Sequence, residues 1–257
     1  MKMREMPTVS NDEDPASTLV ESIYRKLHRH IVDGVYQPGS KLRVEQLKLG
    51  YQVSGSTIRE ALTRLISDQL VHVAGQRGFR VSPMSLSDLE DLTYARIVIE
   101  CAAARDSISR ADEEWEVRLI SAFHRLSRSQ ERLRGNPDTF EEWEQRNGEF
   151  HEALVAGTHS EWLKRLRLIL FQQSERYRRL SSRDASSRID VHDEHKAIFE
   201  AAISHNADAV EELLQNHIQR AVKVLTRNAA FVRLTMDEAV APSMAKAKRG
   251  RVARGRA

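Results

Sequence analysis

Intramolecular disulfide chemistry is excluded at once, because the 257 residues contain one cysteine, Cys101. A chain without that crosslink fits a reducing compartment. Long apolar runs are missing as well: no stretch approaches the roughly 18 to 20 residues that a membrane span requires. The N-terminal MKMREMPTVSNDEDP lacks the apolar core of a secretory leader. These absences leave a cytoplasmic protein with no membrane partner as the expectation. What is present is a length suited to two ordinary domains, with 40% hydrophobic and 30% charged residues.

The charge is unevenly placed. Residues 16–82 carry ten Lys/Arg against five Asp/Glu, a net +5. Residues 83–230 carry 21 against 26, and the last 27 residues carry seven against two. A positive end and a positive tail around an acidic middle are where a polyanion binder puts its charge. Residues 1–15, polar and acidic with two prolines, are predicted to be disordered. So is the tail 231–257, whose APSMAKAKRGRVARGRA has six basic and no acidic residues.

Between these ends the apolar spacing changes character. Leu19, Ile23, Leu27 and Ile31 recur every fourth residue and predict a helix ending near Asp33-Gly34, before the breaker pair Pro38-Gly39. A short helix over Val44 to Leu49 follows. A third, capped by Ser54 or Ser56, turns Ile58, Leu62, Leu65 and Ile66 inward and leaves Thr57, Arg59 and Arg64 on the other side. Next, LVHVAGQRGFRVSP alternates about a Gly-containing loop, as a two-stranded wing does. Three helices and a hairpin make residues 16–82 a winged helix-turn-helix domain. From 83 to 230 the helical period returns in about six segments, near 86–109, 112–134, 137–157, 160–181, 188–205 and 207–229. Ser87 and Glu90 read as a capping box for the first of them. The short breaks predict an antiparallel, all-helical bundle, so the fold class is mainly α.

A recognition helix offers short polar and cationic side chains at its N-terminal end to the major groove and its phosphates. Ser56, Thr57 and Arg59 are placed for that role, with Arg43 before the second helix and Arg77 in the wing as further candidates. The blander reading of each arginine is a solvated cation on a basic domain. Such readers engage two half-sites through two-fold symmetry, so a homodimer on double-stranded DNA is expected.

Three histidines share the inward faces of predicted bundle helices: His151, one turn after Asn147, His195 and His217. Two readings stay open on the residues alone. They are core histidines bonded to neighbours, or they converge on a metal. Arg96 stands one turn before Glu100, and Gln173, Arg176 and Tyr177 are candidates to line the same cavity.

The motifs IVDGVYQPGSKL, VSGSTIREAL and QRGFRV, paired with Phe150-His151, EHKAIFEAAISHNADAVEELLQNHI and ARIVIECAAA, resemble the GntR-type transcription regulators that carry an FCD effector domain. The resemblance spans residues 17–229. It implies a DNA operator and a divalent metal, Zn or alternatively Ni or Mn, held at the positions of Asn147, His151, His195 and His217. It also implies a small carboxylate effector clamped by Arg96, whose alternative role is a helix-surface pair with Glu100. Relatives have Asp where this chain has Asn147, which predicts a weaker but more positive site. They also commonly carry Arg at the positions of Gly55 and Glu45, so the operator is expected to differ. The spelling LRVEQLK, SGSTIREAL, AFHRLSR and QQSERYRRL is similar to the carbon-starvation-induced regulator group, implying a dicarboxylate such as glutarate. The expected protein is a repressor and not an enzyme. Its rivals are a regulator that answers to the metal itself and a metal-dependent, hydrolase-like enzyme, for which Glu149 and Glu152 are the nearest acids in sequence.

Overall fold

The computed structural model describes residues 18–75, 78–181, 185–228 and 231–232. The predicted disordered stretch 1–15, Arg77 and nearly all of the basic tail lie outside the described residues.

Helix α1 (Leu19–Val32) starts where Thr18 accepts a hydrogen bond from the Glu21 amide, and it buries Ile23, Leu27, Ile31 and Val32. Leu19, expected to open this stripe, is the first helical residue and stays 57% exposed. Helix α2 (Val44–Tyr51) and helix α3 (Gly55–Ser67) complete the trio. Of the two serines offered as caps, Ser54 fills the role: its Oγ accepts from the Thr57 amide at 3.1 Å. Ile58, Ala61, Leu62 and Leu65 of α3 pack against the α1 stripe. Each fully buried leucine or isoleucine contributes about 1.5–3 kcal/mol.

The wing has three strands where the sequence predicted two. β2 (Val71–Val73) and β3 (Phe79–Val81) pair antiparallel, and β1 (Lys41–Leu42) adds to the other edge of β3 in the order β1-β3-β2. The turn before β1 makes this possible. Gly39, at a φ of 71°, donates its amide to the Val81 carbonyl, and Val81 returns a bond to Ser40. Two residues are too few to show alternation, so β1 left no signal in the sequence.

The second part is a bundle of α4 (Leu86–Ser109), α5 (Glu113–Gly135), α6 (Phe140–Leu154), α7 (Glu161–Gln173), α8 (Glu175–Ser181), α9 (Ala185–Ile203) and α10 (Ala207–Leu225). The α4 cap is Ser85, not Ser87: Ser85 has the extended backbone and its Oγ accepts from the Asp88 amide, while Ser87 lies inside the first turn. The expected single helix over 160–181 is two. Ser174 ends α7, its hydroxyl donating to the Phe171 carbonyl at 2.9 Å, and α8 begins at the next residue. Leu119, Leu126, Phe150, Leu154, Ile198 and Leu214 form the core where α5, α6, α9 and α10 meet. Cys101 is buried there, its thiol pushed up to about 12 by burial first and then by Glu211 and Glu100.

Candidate functional site

At the N-terminus of α3 the Ser54 hydroxyl lies 2.7 Å from that of Ser56 and 2.8 Å from that of Thr57. Ser56 and Arg59 are exposed and Thr57 is half-buried. The Arg59 guanidinium folds back toward Gly55, and a Cβ on that glycine would meet Arg59 Nη1 at an ordinary 3.4 Å. Arg59 and Arg43 open onto one cleft of about 1060 Å3, between the helices and the wing, with Lys41 and Arg80 on the same walls. Lys41 and Arg80 face each other across the β1–β3 pair. Their contribution depends on a strand that sequence periodicity could not reveal.

In the bundle the structure brings His151, His195 and His217 together, with one potential ligand atom from each within 4.8 Å of the others. His151 and Asn147 come from α6, His195 from α9 and His217 from α10. Asn147, His151 and His195 are all at most 2% exposed. The polar atoms there are largely orphaned: Asn147 Oδ1, His151 Nδ1 and both ring nitrogens of His195 are buried without a hydrogen-bond partner. A buried polar atom normally has a partner, so an unpaired amide oxygen and unpaired imidazole nitrogens at this cluster are compatible with a bound cation. Bonded neighbours, which the core-histidine reading calls for, are present for His217 and not for these atoms.

His217 is oriented differently. Its Nδ1 donates to the Glu194 carboxylate at 2.9 Å, which leaves Nε2 with the free lone pair. Burial alone would raise the Glu194 carboxyl, but the bonds from His217 and Arg220 outweigh it and hold it low. His151 and His195 are held well below the usual imidazole range, by burial first and by the neighbouring His217 second. Neutral imidazoles are the form that ligates a metal.

A cavity of about 50 Å3 opens beside the cluster, lined by Arg96, Trp143, Arg178 and Arg220 among others. Arg96 does pair with Glu100, at 2.7 Å, but the pair is buried inside the bundle and not on a helix surface. Burial pulls the Arg96 guanidinium down, and Glu100 opposes that. Arg178 binds Glu144 and the Phe171 carbonyl. Arg178, Arg220 and Glu194 were missed in the sequence, where each reads as an ordinary helix-surface charge.

Gln173, Arg176 and Tyr177, expected in this cavity, stand elsewhere. Gln173 ends α7, Arg176 and Tyr177 belong to α8, and all three serve the junction. Gln173 Nε2 donates to the Asp68 carbonyl at 2.7 Å, and Arg176 Nη1 to the Ser82 carbonyl at 2.8 Å. Tyr177 donates to Asp88 at 2.6 Å. Arg179 joins them, with Nη1 on Asp33 at 2.9 Å, Nη2 on Glu141 at 2.8 Å and Nε on Glu175 at 2.8 Å.

A winged helix-turn-helix joined to a helical bundle with a polar, histidine-rich centre is the architecture of a DNA-binding transcription regulator. Residues 19–81 match the family described as bacterial regulatory proteins, gntR family, and residues 91–220 match the FCD domain. The chain belongs to the GntR family, in the branch that carries an FCD domain. It is 44% identical over 209 residues to the HTH-type transcriptional regulator BphR of Paraburkholderia xenovorans, covering 81% of this chain and 85% of that one. It is 32% identical over 211 residues to the HTH-type transcriptional repressor GlaR of Escherichia coli, covering 80% and 96% respectively. Two solved structures share the fold. McbR/YncC of Escherichia coli has a TM-score of 0.63 at 18% identity, covering 82% of this chain and 98% of that one. A GntR regulator from a Rhodococcus species has a TM-score of 0.63 at 22% identity, covering 82% and 99%. No described helix is long and apolar enough to cross a membrane.

Proposed function

We propose that this protein is a homodimeric repressor of the bacterial cytoplasm that binds a double-stranded DNA operator and releases it when a small carboxylate enters the bundle. The observation that carries the reading is the orphaned set of Asn147 Oδ1, His151 Nδ1 and the two His195 nitrogens beside Arg96 and Arg178. Asn147, His151, His195 and His217 would hold a divalent metal, Zn in the first instance, with Ni or Mn as alternatives. When bound, the metal supplies positive charge at the base of the cavity. Neutral Asn147 leaves that charge undiminished, and Arg96 and Arg178 add donors shaped for a carboxylate.

On the DNA side Ser56 and Thr57 offer hydroxyls and the α3 N-terminus to phosphates. Arg59 is placed to reach a base edge or a phosphate. Arg43, Lys41 and Arg80 would track the backbone, together with Arg77 in the wing. A second copy of the chain would cover the exposed Tyr94 and Val98 of α4 and the exposed Trp162, Leu166 and Ile169 of α7, two helices that pack side by side.

A regulator that answers to the metal alone is favoured by one observation: about 50 Å3 accommodates an ion and a few waters, so a dicarboxylate must widen the cavity. The hydrolytic reading has less support, since Glu149 and Glu152, the acids nearest in sequence, line a separate groove and not this cavity. The test is operator binding by purified protein after chelation, after Zn is restored, and after glutarate and other mono- and dicarboxylates are added. Release by an acid in the presence of metal supports the sensor. Indifference to every acid, with loss of binding on chelation, supports the metal reading.

A further inference from the structure

A second cavity, which shares no lining residue with the histidine cavity, lies where α5, α6 and α7 meet. It encloses about 460 Å3, against about 50 Å3 beside the histidines. Its walls combine apolar side chains, including Ala122, Ala153 and Leu168, with five cations and two carboxylates. Most of these charges have local partners. Arg118 pairs with Glu114, Lys164 with Glu161, and Glu149 with Arg146 and Arg125.

Arg167 does not. It is 3% exposed, and its Nε and Nη2 are buried with no hydrogen-bond partner. Among the described residues its contact is the Phe171 ring, 4.9 Å from the guanidinium carbon, and no carboxylate lies within 4.0 Å of it. A buried cation with unmade hydrogen bonds is costly, and double-donor guanidinium geometry is matched by an oxyanion. The surroundings do not neutralise it. Arg96 and Arg178 also flank Phe171, and the buried carboxylates near these three arginines are Glu100 and Glu144, already engaged by Arg96 and Arg178. Glu152 lines the groove and attracts Arg167 without reaching it.

We propose that this groove is a second effector site, for an organic monoanion whose carboxylate meets Arg167 while a compact apolar body lies on Ala153 and Leu168. Arg165 stands at the mouth, stacked at 5.5 Å on the Trp162 ring, and contributes long-range attraction. The site needs no metal, because none of its lining residues belongs to the histidine cluster. It also borders α7, and α8 follows after a single residue and carries the contacts to the winged domain.

The experiment is calorimetric titration of the full-length protein with cyclohexanecarboxylate, with and without EDTA, beside acetate and cyclohexanecarboxamide as probes of the head and the body alone. The expected result is one site per chain, with affinity unchanged within about twofold by EDTA and at least about tenfold weaker binding of either truncated probe. Arg167→Gln should weaken binding at least about tenfold, and Arg167→Lys less. Because Arg167 is buried, Ala156→Trp, at a half-buried wall position, provides an independent block and should abolish binding while the melting curve stays cooperative. No saturable binding by the wild type would overturn the proposal. Binding lost with EDTA would place the anion at the histidine cavity instead, and binding indifferent to both Arg167→Gln and Ala156→Trp would remove it from this groove.

Discussion

Arg179 of α8 donates through Nη1 to Asp33, at the end of α1 in the winged domain, across 2.9 Å. The same guanidinium holds Glu141 of α6 and Glu175 of α8, so one side chain ties the DNA-reading half to two helices of the bundle. Its neighbour Arg178 faces the histidine cavity. The helix that would feel an anion there is thus the helix that grips the winged domain, and the two halves share a rigid element through which both could bias one equilibrium.

Cutting that tie should separate the halves. Burial would lower the Arg179 guanidinium, but its three carboxylates outweigh burial and raise it. Replacing it with alanine leaves Asp33, Glu141 and Glu175 facing one another without the cation. Two of these acids are at least 40% exposed, which limits the cost to about 1–3 kcal/mol. Calorimetry of Arg179→Ala should show two resolved melting transitions where the parent shows one, and a single transition at the parent temperature would contradict the coupling role.

The metal centre yields a prediction with opposite signs at two positions. Asn147→Asp adds a charged oxygen to the site and should tighten Zn binding at least about tenfold, while weakening any anion drawn to the metal. Glu194→Gln keeps an amide oxygen for His217 but removes the negative charge that makes its imidazole a stronger ligand, and should weaken Zn binding by about tenfold. Competition against a chromophoric chelator measures both. Tighter binding by Glu194→Gln would mean that His217 does not ligate through the nitrogen left free.

Metal-free protein should lose stability in acid. His151 and His195 have folded pKa values well below the ordinary 6.5, from burial first. Below about 6.5 the unfolded chain takes up protons that the folded chain refuses. Their contribution is therefore complete above that pH and falls below it, by up to about 1.4 kcal/mol per pH unit for each ring. The melting temperature in EDTA should drop between pH 7 and pH 5, and His195→Leu should show about half the slope. A flat profile in the parent would show that the rings are not buried neutral.

Arg59 and Arg43 should fail in different ways on DNA. If Arg59 reads a base, Arg59→Ala costs about 1–3 kcal/mol on the preferred site and narrows the gap between preferred and random DNA. Arg43→Ala should weaken binding to all sequences alike and lower the slope of log affinity against log salt by about one. Selection of sites from a random library, followed by titration at several salt concentrations, distinguishes the two. Equal losses on every sequence for both variants would leave Arg59 as a phosphate contact.

Local periodicity carried most of the fold, and the misses have physical causes. The stripe through Ile23, Leu27 and Ile31 and the inward faces of His151, His195 and His217 are properties of one helix at a time, so spacing exposes them. The end of α7 is not: Gln172, Gln173 and Ser174 contain no Gly or Pro, and the chain breaks there because Ser174 bonds back to the Phe171 carbonyl. The residues beside that break were therefore hard to assign to a side, and Gln173, Arg176 and Tyr177 stand at the junction while Arg178 faces the cavity. Glu194, Arg178 and Arg220 belong to the centre through contacts between helices, and the burial of Arg167 depends on three helices at once. Such facts have no signature in the spacing of one segment.

Two glycines with opposite surroundings give the last prediction. Gly157 donates its amide to Ser107 Oγ at 2.9 Å, and a Cβ there would lie 2.9 Å from both the carbonyl oxygen and the hydroxyl of Ser107. The loop it belongs to is pinned to α4 on the next residues as well. Thr158 and the His159 amide both donate to Asp106, whose carboxyl is held at about 2, chiefly by Thr158. Because the Ser107 carbonyl is held in the last turn of α4, where it accepts the Arg110 amide, Gly157→Ala must push the loop away and should cost about 1–3 kcal/mol, at roughly 2–4 °C of melting temperature per kcal/mol. Gly135, the last residue of α5, meets nothing within 4 Å, so Gly135→Ala should be neutral or stabilise by up to about 1 kcal/mol through helix propensity. Melting both variants in the same buffer tests the close approach directly. Equal effects would mean that the contact between Gly157 and α4 is looser than 2.9 Å implies.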